Sequence, residues 1–288
     1  MRYVIITNPV SGRLSLDQKR KLLDKAARIL GAEVVGLEIK TRQEFISCAK
    51  EISSSVDVLV VAGGDGSVSD VINAVDTSQT PIAYLPLGSG NALAHGLKYP
   101  FGIARTAVRI REGRIRDYDL ILCDGRKKAI LASVGIEGTV LRLRDHYLAK
   151  GVKGLTAYSR AFFEAYFRHF RPFSLEMDIE DNPFRMNNLL SVSIVKHPYY
   201  GYGLNLVPNA RLDDRKLHIL CATAGPGNAL CTVLSAFTLG NRTGTFLQGR
   251  SATVKLEKSL TLQTDGDSAW EADHFVFEVL PRALKIKC

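Results

Sequence analysis

Two glycine-rich stretches, Gly63-Gly64-Asp65-Gly66-Ser67 and Pro86-Leu87-Gly88-Ser89-Gly90-Asn91, have the composition of loops that cradle phosphate. Glycine lets a backbone come close to a ligand, and the unpaired N–H groups at the start of a following helix attract anions. Asp65, flanked by glycines, adds a carboxylate that could bind Mg²⁺ or accept the proton of an incoming hydroxyl. Each stretch follows an apolar run, 56–62 and 81–85, that reads as a buried strand, and each leads into a helical pattern. Two such junctions on neighbouring strands would form a crevice suited to a polyphosphate. Phosphate chemistry is the first expectation.

The elements that must position these loops follow from periodicity. The first hundred residues alternate strand patterns (2–7, 34–39, 56–62, 82–85) with helical stripes (16–30, 41–52, 68–75, 92–97). Repeated βα units imply a mainly parallel sheet covered on both faces. Thr41 and Glu44 have capping-box spacing, which makes Thr41 a helix N-cap. Beyond a helix at 103–111 the pattern changes to short strands at 118–123, 129–134, 174–179, 189–195, 217–223, 252–256, 260–264 and 275–280. A helical segment rich in aromatic and basic residues occupies 141–170, and a further helix 229–239. The fold expectation is α/β: a nucleotide-binding domain over 1–117, to which residues 276–288 return, and a strand-rich, β-sandwich-like domain over 118–275.

Composition narrows the partners. The chain has 288 residues, 46% hydrophobic and 23% charged, as in ordinary globular proteins. Its longest apolar runs are far too short to span a bilayer, and the N-terminus lacks the features of a signal peptide. A cytoplasmic location is expected. Five scattered cysteines without CxxC spacing fit neither a disulfide framework nor a zinc site and read as reduced thiols. A net charge of +9 favours polyanions. No nucleic-acid module accompanies it, which leaves anionic membrane surfaces, phosphorylated substrates or a plain solvated surface.

Asn8-Pro9-Val10-Ser11-Gly12, the two glycine stretches and a late Asp265-Gly266-Asp267 come in that order. Together they resemble the diacylglycerol-kinase-like lipid kinases, a group that includes bacterial lipid kinases, sphingosine kinases and ceramide kinases. The run from Gly201-Tyr202-Gly203 through Pro208-Asn209-Ala210 to Asp213-Asp214 is similar to the second-domain segment of that group. GGDG alone is shared with NAD kinases; the Gly88-Ser89-Gly90-Asn91 loop is what resembles lipid kinases instead.

The resemblance implies ATP and Mg²⁺ at Asn8, Pro9, Ser11, Gly12, Thr41, Gly63, Gly64, Asp65, Gly66, Ser67, Gly88, Ser89, Gly90 and Asn91, with a lipid hydroxyl as acceptor. Asn8-Pro9 taken alone reads as a simple turn. Asp65 and Asp267 are the two candidate general bases, and Asp267 stands where the family usually carries Glu. Asp119 is a candidate member of the same acidic cluster or, as plainly, a solvated aspartate at a strand start. By resemblance to the bacterial enzymes, a structural Mg²⁺ would sit at the turn of Arg211, Asp214 and Lys216, with Asp214 as side-chain ligand and two backbone carbonyls. Arg215 replaces the usual Gly there. The 141–170 segment is the expected lipid and membrane contact, transient and peripheral, set against the plainer reading, which suits most of its residues, of an amphipathic core helix with a solvated basic face. His146, His169 and His197 read as surface or capping residues. Two other readings are an NAD-kinase-like soluble kinase and a non-catalytic nucleotide- or lipid-binding regulator, the latter kept open by Asp267.

Overall fold

The computed structural model describes residues 1–8, 12, 14–152 and 154–288. The expectations at Pro9 and Ser11 lie outside the described residues. The chain divides into two units, Met1–Leu120 with Pro281–Cys288, and Ile121–Leu280.

In the first unit, β1 (Tyr3–Thr7), α1 (Leu16–Leu30), β2 (Glu33–Val35), α2 (Arg42–Ser53), β3 (Val58–Gly63), α3 (Asp65–Ala74), β4 (Ile82–Pro86), α4 (Ala92–Gly96) and α5 (Ile103–Glu112) follow in βα alternation. The strands β2, β1, β3 and β4 pair parallel in that order. Every residue of β1 and β3 is buried, as parallel strands covered on both faces require. Helix α1 starts at a Ser15–Gln18 capping box and ends at Gly31 in the left-handed conformation. Its Leu23, Ala26 and Leu30 pack onto β1 and β3 within one core cluster. Order reverses between β1 and β3, so the loops that follow their carboxyl ends flank a topological switch point, where ligands of such sheets bind.

The strand β5 (Ile115–Cys123) crosses from the first unit into the second, where β6 (Lys127–Ala129), β7 (Leu131–Gly135), α6 (Ile136–Ala149), α7 (Leu155–Glu164), β8 (Phe173–Ile179), β9 (Asn182–Val195), β10 (Leu217–Thr223), α8 (Pro226–Phe237), β11 (Thr245–Gly249), β12 (Ser251–Thr264) and β13 (Asp267–Lys287) follow. The second unit's strands pair antiparallel in the order β11, β10, β9, β7, β12, β13, with β8 against β9 and β12. Strand β12 pairs with β8 in its first half and with β7 in its second, and its register with β13 shifts between the halves. That bend lets one strand serve both faces of an apolar core built on Phe173, Leu175, Val192, Ile194, Phe275 and Phe277.

Three expectations are corrected. The 141–170 segment is two helices, not one: Gly151 and Gly154, both at positive φ, break it, and α7 runs on into a π-helical turn at Ala165–His169. The strand readings 252–256 and 260–264 are parts of one long strand, and β11 escaped notice because its residues are mostly exposed. His197 is buried and its Nδ1 accepts the Tyr199 N–H at 3.2 Å, so it is no surface residue.

Candidate nucleotide and acceptor sites

The glycine loops of the first unit meet backbone to backbone. A Cβ on Gly88 would lie 2.4 Å from the Cα of Gly64, and one on Gly12 would lie 2.2 Å from the carbonyl oxygen of Leu87. Gly12 also sits at φ +74, a left-handed conformation that favours glycine. Leu87 N–H and Gly88 N–H both donate to Gly63 O, at 2.8 and 3.0 Å. The three loop motifs therefore converge on one place at the carboxyl ends of β1, β3 and β4, with Asn8 tied in by its N–H to Ala62 O at 3.3 Å.

Asp65 opens α3 after Gly64, which supplies no side-chain cap. Its carboxylate does not point away as a lone base. One oxygen accepts the Ala92 N–H at 2.9 Å and the other the Leu93 N–H at 3.1 Å. Asp65 thus caps α4 and ties the first glycine loop to the second. Burial raises its pKa above the usual carboxylate range, against the pull of those two N–H groups. Asn91, at φ 47, holds the second loop: its Nδ2 donates to Gly88 O at 3.0 Å and its Oδ1 accepts from the Tyr84 hydroxyl at 3.0 Å. Ser67 is buried in the first turn of α3 beside Gly66, while Ser89 is exposed next to half-buried Gly90.

Thr41 caps α2 by accepting the Glu44 N–H at 3.2 Å. Its neighbour Arg42 forks onto buried Asp70 of α3, with Nε 2.8 and 3.0 Å from the two oxygens. The charge at Asp70 is visible in the sequence as an acidic helix start, but its partner is not. Asp119 is buried on β5 and accepts the Arg282 N–H at 3.1 Å, which ties the returning C-terminal residues to the first unit. It is not a solvated strand-start residue. Among the described residues, no group of three or more His, Cys, Asp or Glu side chains is placed to hold a metal ion.

In the second unit, Asp267 begins β13, half-buried, directly opposite Thr264. The turn before it is built from side chains. Asp265 accepts the Ile130 and Leu131 N–H groups at 3.0 and 2.9 Å, Gln263 Oε1 accepts the Gly266 N–H at 3.0 Å, and Arg144 Nη1 donates to Gly266 O at 3.1 Å. Arg144 also donates to the Tyr158 hydroxyl at 2.7 Å, so α6 and α7 jointly hold this turn. Arg144 was not singled out in the sequence, because nothing local marks which arginine of a basic helix turns inward.

The Arg211–Lys216 turn does not fit a divalent ion. Lys196, wholly buried, places its ammonium 3.0 Å from Asp214 Oδ1 and also donates to Lys216 O, two of the three groups that would coordinate the metal. The other Asp214 oxygen lies 2.6 Å from His218 Nε2, and since a carboxylate only accepts, that nitrogen carries the proton. Although burial opposes it, the Lys196 ammonium and His218 hold Asp214 below the usual carboxylate range. Mg²⁺ demands a near-octahedral set of oxygens, and an ammonium seated on two of them takes its place.

Comparison with known proteins agrees with this architecture. Residues 2–123 match the family described as the diacylglycerol kinase catalytic domain, and residues 131–288 match the YegS C-terminal NAD kinase beta sandwich-like domain. A protein of Staphylococcus saprophyticus named diacylglycerol kinase is 24% identical over 275 residues, covering 91% of this chain and 88% of that protein. The crystal structure of a diacylglycerol kinase of Bacillus anthracis superposes with a TM-score of 0.75 at 17% identity, over 99% of this chain and 96% of that one. An NAD kinase of Archaeoglobus fulgidus, solved with ATP, has a TM-score of 0.52 at 11% identity over 100% and 94% of the two chains.

Proposed function

This chain belongs to the diacylglycerol kinase family of lipid kinases, and on that premise we propose that it transfers the γ-phosphoryl group of ATP to the hydroxyl of a membrane lipid. The observation that carries the reading is the convergence of three loops, at which Gly12 and Gly88 leave no room for a Cβ and Gly64 leaves little. A polyphosphate is recognised through backbone N–H groups, and such a cradle needs backbone unobstructed by side chains. Phosphoryl transfer asks the protein mainly for positioning and charge neutralisation, and an accompanying Mg²⁺ supplies part of the latter. The lipid oxygen bonds to the γ-phosphorus, the bridging bond to the β-phosphate breaks with ADP leaving, and the hydroxyl proton passes to a carboxylate. Asp267 is that carboxylate in this reading: it is half-buried and follows a turn held by Asp265, Gln263 and Arg144.

The acceptor requires contact with a bilayer. No helix among the described residues is long and apolar enough to cross one. Support for peripheral docking comes from exposed apolar residues beside basic ones. Phe163 and Phe167, 61% and 70% exposed, stack on each other near the exposed Arg160 and Arg168. Helix α8 exposes Leu230, Val233, Leu234 and Phe237 at helical spacing, one apolar stripe left to solvent. Apolar side chains with flanking arginines suit an anionic lipid surface.

The test is transfer of γ-labelled phosphate from ATP to diacylglycerol, a sphingoid base, ceramide and a polyprenol in mixed micelles, with NAD as a soluble competitor acceptor. Wild type is expected to label one lipid, and Asp267→Asn to lose about 10²–10⁴-fold in rate. Label on NAD alone would favour the soluble-kinase reading that the Archaeoglobus neighbour suggests. ATP binding without label on any acceptor would leave a regulator.

A further inference from the structure

A row of polar side chains interrupts the apolar packing on one face of the second unit's sheet. Ser133 of β7 and Ser193 of β9 are cross-strand partners, Gln263 of β12 stands opposite Ser133, and Ser191 stands opposite Gly135. All four polar side chains are buried. They satisfy one another and a tyrosine: Gln263 Nε2 donates to Ser133 Oγ at 2.9 Å, and the Tyr200 hydroxyl to Ser193 Oγ at 2.7 Å. Glu137, in the first turn of α6, ends the row. It takes a hydrogen bond from the Ser191 hydroxyl, but its Oε2 is buried and meets no hydrogen-bond donor among the described residues.

Apolar clusters border this row. One contains Ile136, Leu190 and Ala222, with Val140, Leu143 and Phe162 packed against them; the other contains Leu131, Val195 and Val207. A buried acceptor left without a donor is unfavourable by about 1–3 kcal/mol, and native chains leave few such groups. Glu137 as a whole is only half-buried, and rotation about the terminal bond exchanges the two oxygens. An anionic phosphate would be repelled here. An alcohol would not: it donates to a carboxylate and can accept from a protonated carboxyl, and burial has pushed this one up to about 7.

We infer that Glu137 binds the head group of the lipid acceptor, its carboxyl accepting a hydrogen bond from an alcohol hydroxyl while Ile136, Val140, Leu143 and Phe162 receive the adjoining carbons of the chain. This rests on the lipid-kinase reading for the identity of the ligand. Glu137 orients the acceptor and takes no proton from it, a role distinct from that of Asp267.

The experiment uses the full chain and dioctanoylglycerol, a short-chain lipid alcohol. Its binding is measured by calorimetry without nucleotide, and its phosphorylation is measured in parallel. Glu137→Met, which keeps length and removes the acceptor, is expected to bind about 10-fold more weakly and to raise the lipid KM by a similar factor, with kcat and the KM for ATP unchanged. Glu137→Gln retains one acceptor oxygen and is expected to recover most of the loss. A melting temperature equal to wild type in both variants excludes unfolding as the cause. Met binding as tightly as wild type overturns the inference, and so does a wild type that does not bind dioctanoylglycerol. A wild type that binds in a Glu137-dependent way but transfers no phosphate overturns the kinase reading and leaves the lipid site standing.

Discussion

The molecule carries two Asp–Gly motifs that perform one structural task by different means. In the first unit Asp65 takes the N–H groups of two consecutive residues, Ala92 and Leu93; in the second Asp265 takes those of Ile130 and Leu131. Each aspartate clamps a neighbouring segment through both of its oxygens or through one shared oxygen. Around Asp65 the site is then shaped by missing side chains, with Gly64, Gly88 and Gly12 letting backbones touch. Around Asp265 it is shaped by present ones, Gln263 and Arg144. The first construction brings backbone against backbone by leaving side chains out; the second holds the turn before Asp267 by filling space.

The side-chain construction reaches its extreme at Lys196. Its ammonium sits on Asp214 and Lys216 where a divalent ion was expected, which makes the turn independent of metal. Removing one partner of a buried pair costs about 3–5 kcal/mol, because the other charge is left uncompensated. Lys196→Ala is therefore expected to show the largest stability loss among the changes considered, read as a drop in melting temperature. Wild type should melt at the same temperature in EDTA and in millimolar Mg²⁺. A wild type destabilised by EDTA would show that a metal does bind this turn and that the ammonium is no substitute for it.

The backbone construction breaks differently. Gly88→Ala forces a methyl to 2.4 Å from the Gly64 backbone, which no rotamer relieves. Overpacking of that kind costs about 1–3 kcal/mol, less than the loss of Lys196, but it spreads the loops proposed to bind phosphate. ATP affinity, followed by titration calorimetry, should fall by more than tenfold while dioctanoylglycerol binding stays at the wild-type value. A Gly88→Ala protein with unaltered ATP affinity would remove the glycine contact from the nucleotide site.

What could be read from the residues divides along the same line. Glycines between a buried strand and a helix mark their own loop, so the meeting of the two glycine stretches was legible from composition and order, whereas Asn8–Gly12 alone reads as a turn and joins them only through the family resemblance. The apolar runs and helical stripes gave the βα alternation of 1–112, because β1, β3 and β4 are largely apolar along their whole length. Asp119 and Asp65 were recognised as acidic residues of interest but not as clamps, since Arg282 lies far along the chain and the α4 N–H groups carry no sequence signature. Arg144, Lys196 and Glu137 pair with groups on other elements of the chain, and single-residue types say nothing of such pairing; His218 meets Asp214 only four residues away, across a turn whose geometry the residue types do not specify. The turn at Arg211–Lys216 shows how far this can mislead. Asp214 is present as expected, and its chemistry is decided by Lys196 from another strand end.

The smallest expected effect tests the comparison most directly. Asp65→Asn replaces one of two accepting oxygens with an amide group that faces an N–H, leaving a donor unpaired at about 1–3 kcal/mol, whereas Asp265→Asn can keep as its carbonyl the one oxygen that accepts both N–H groups. Asp65→Asn is therefore expected to lower the melting temperature more than Asp265→Asn does. Their activities should diverge as well. Asp65→Asn loosens α4 from the glycine loop and should raise the KM for ATP; Asp265→Asn loosens the turn that carries Asp267 and should lower kcat with the KM for ATP unchanged. Equal kinetic effects from the two substitutions would mean that the loops act as one unit, and the distinction between a site built by omission and a site built by contact would fall with that result.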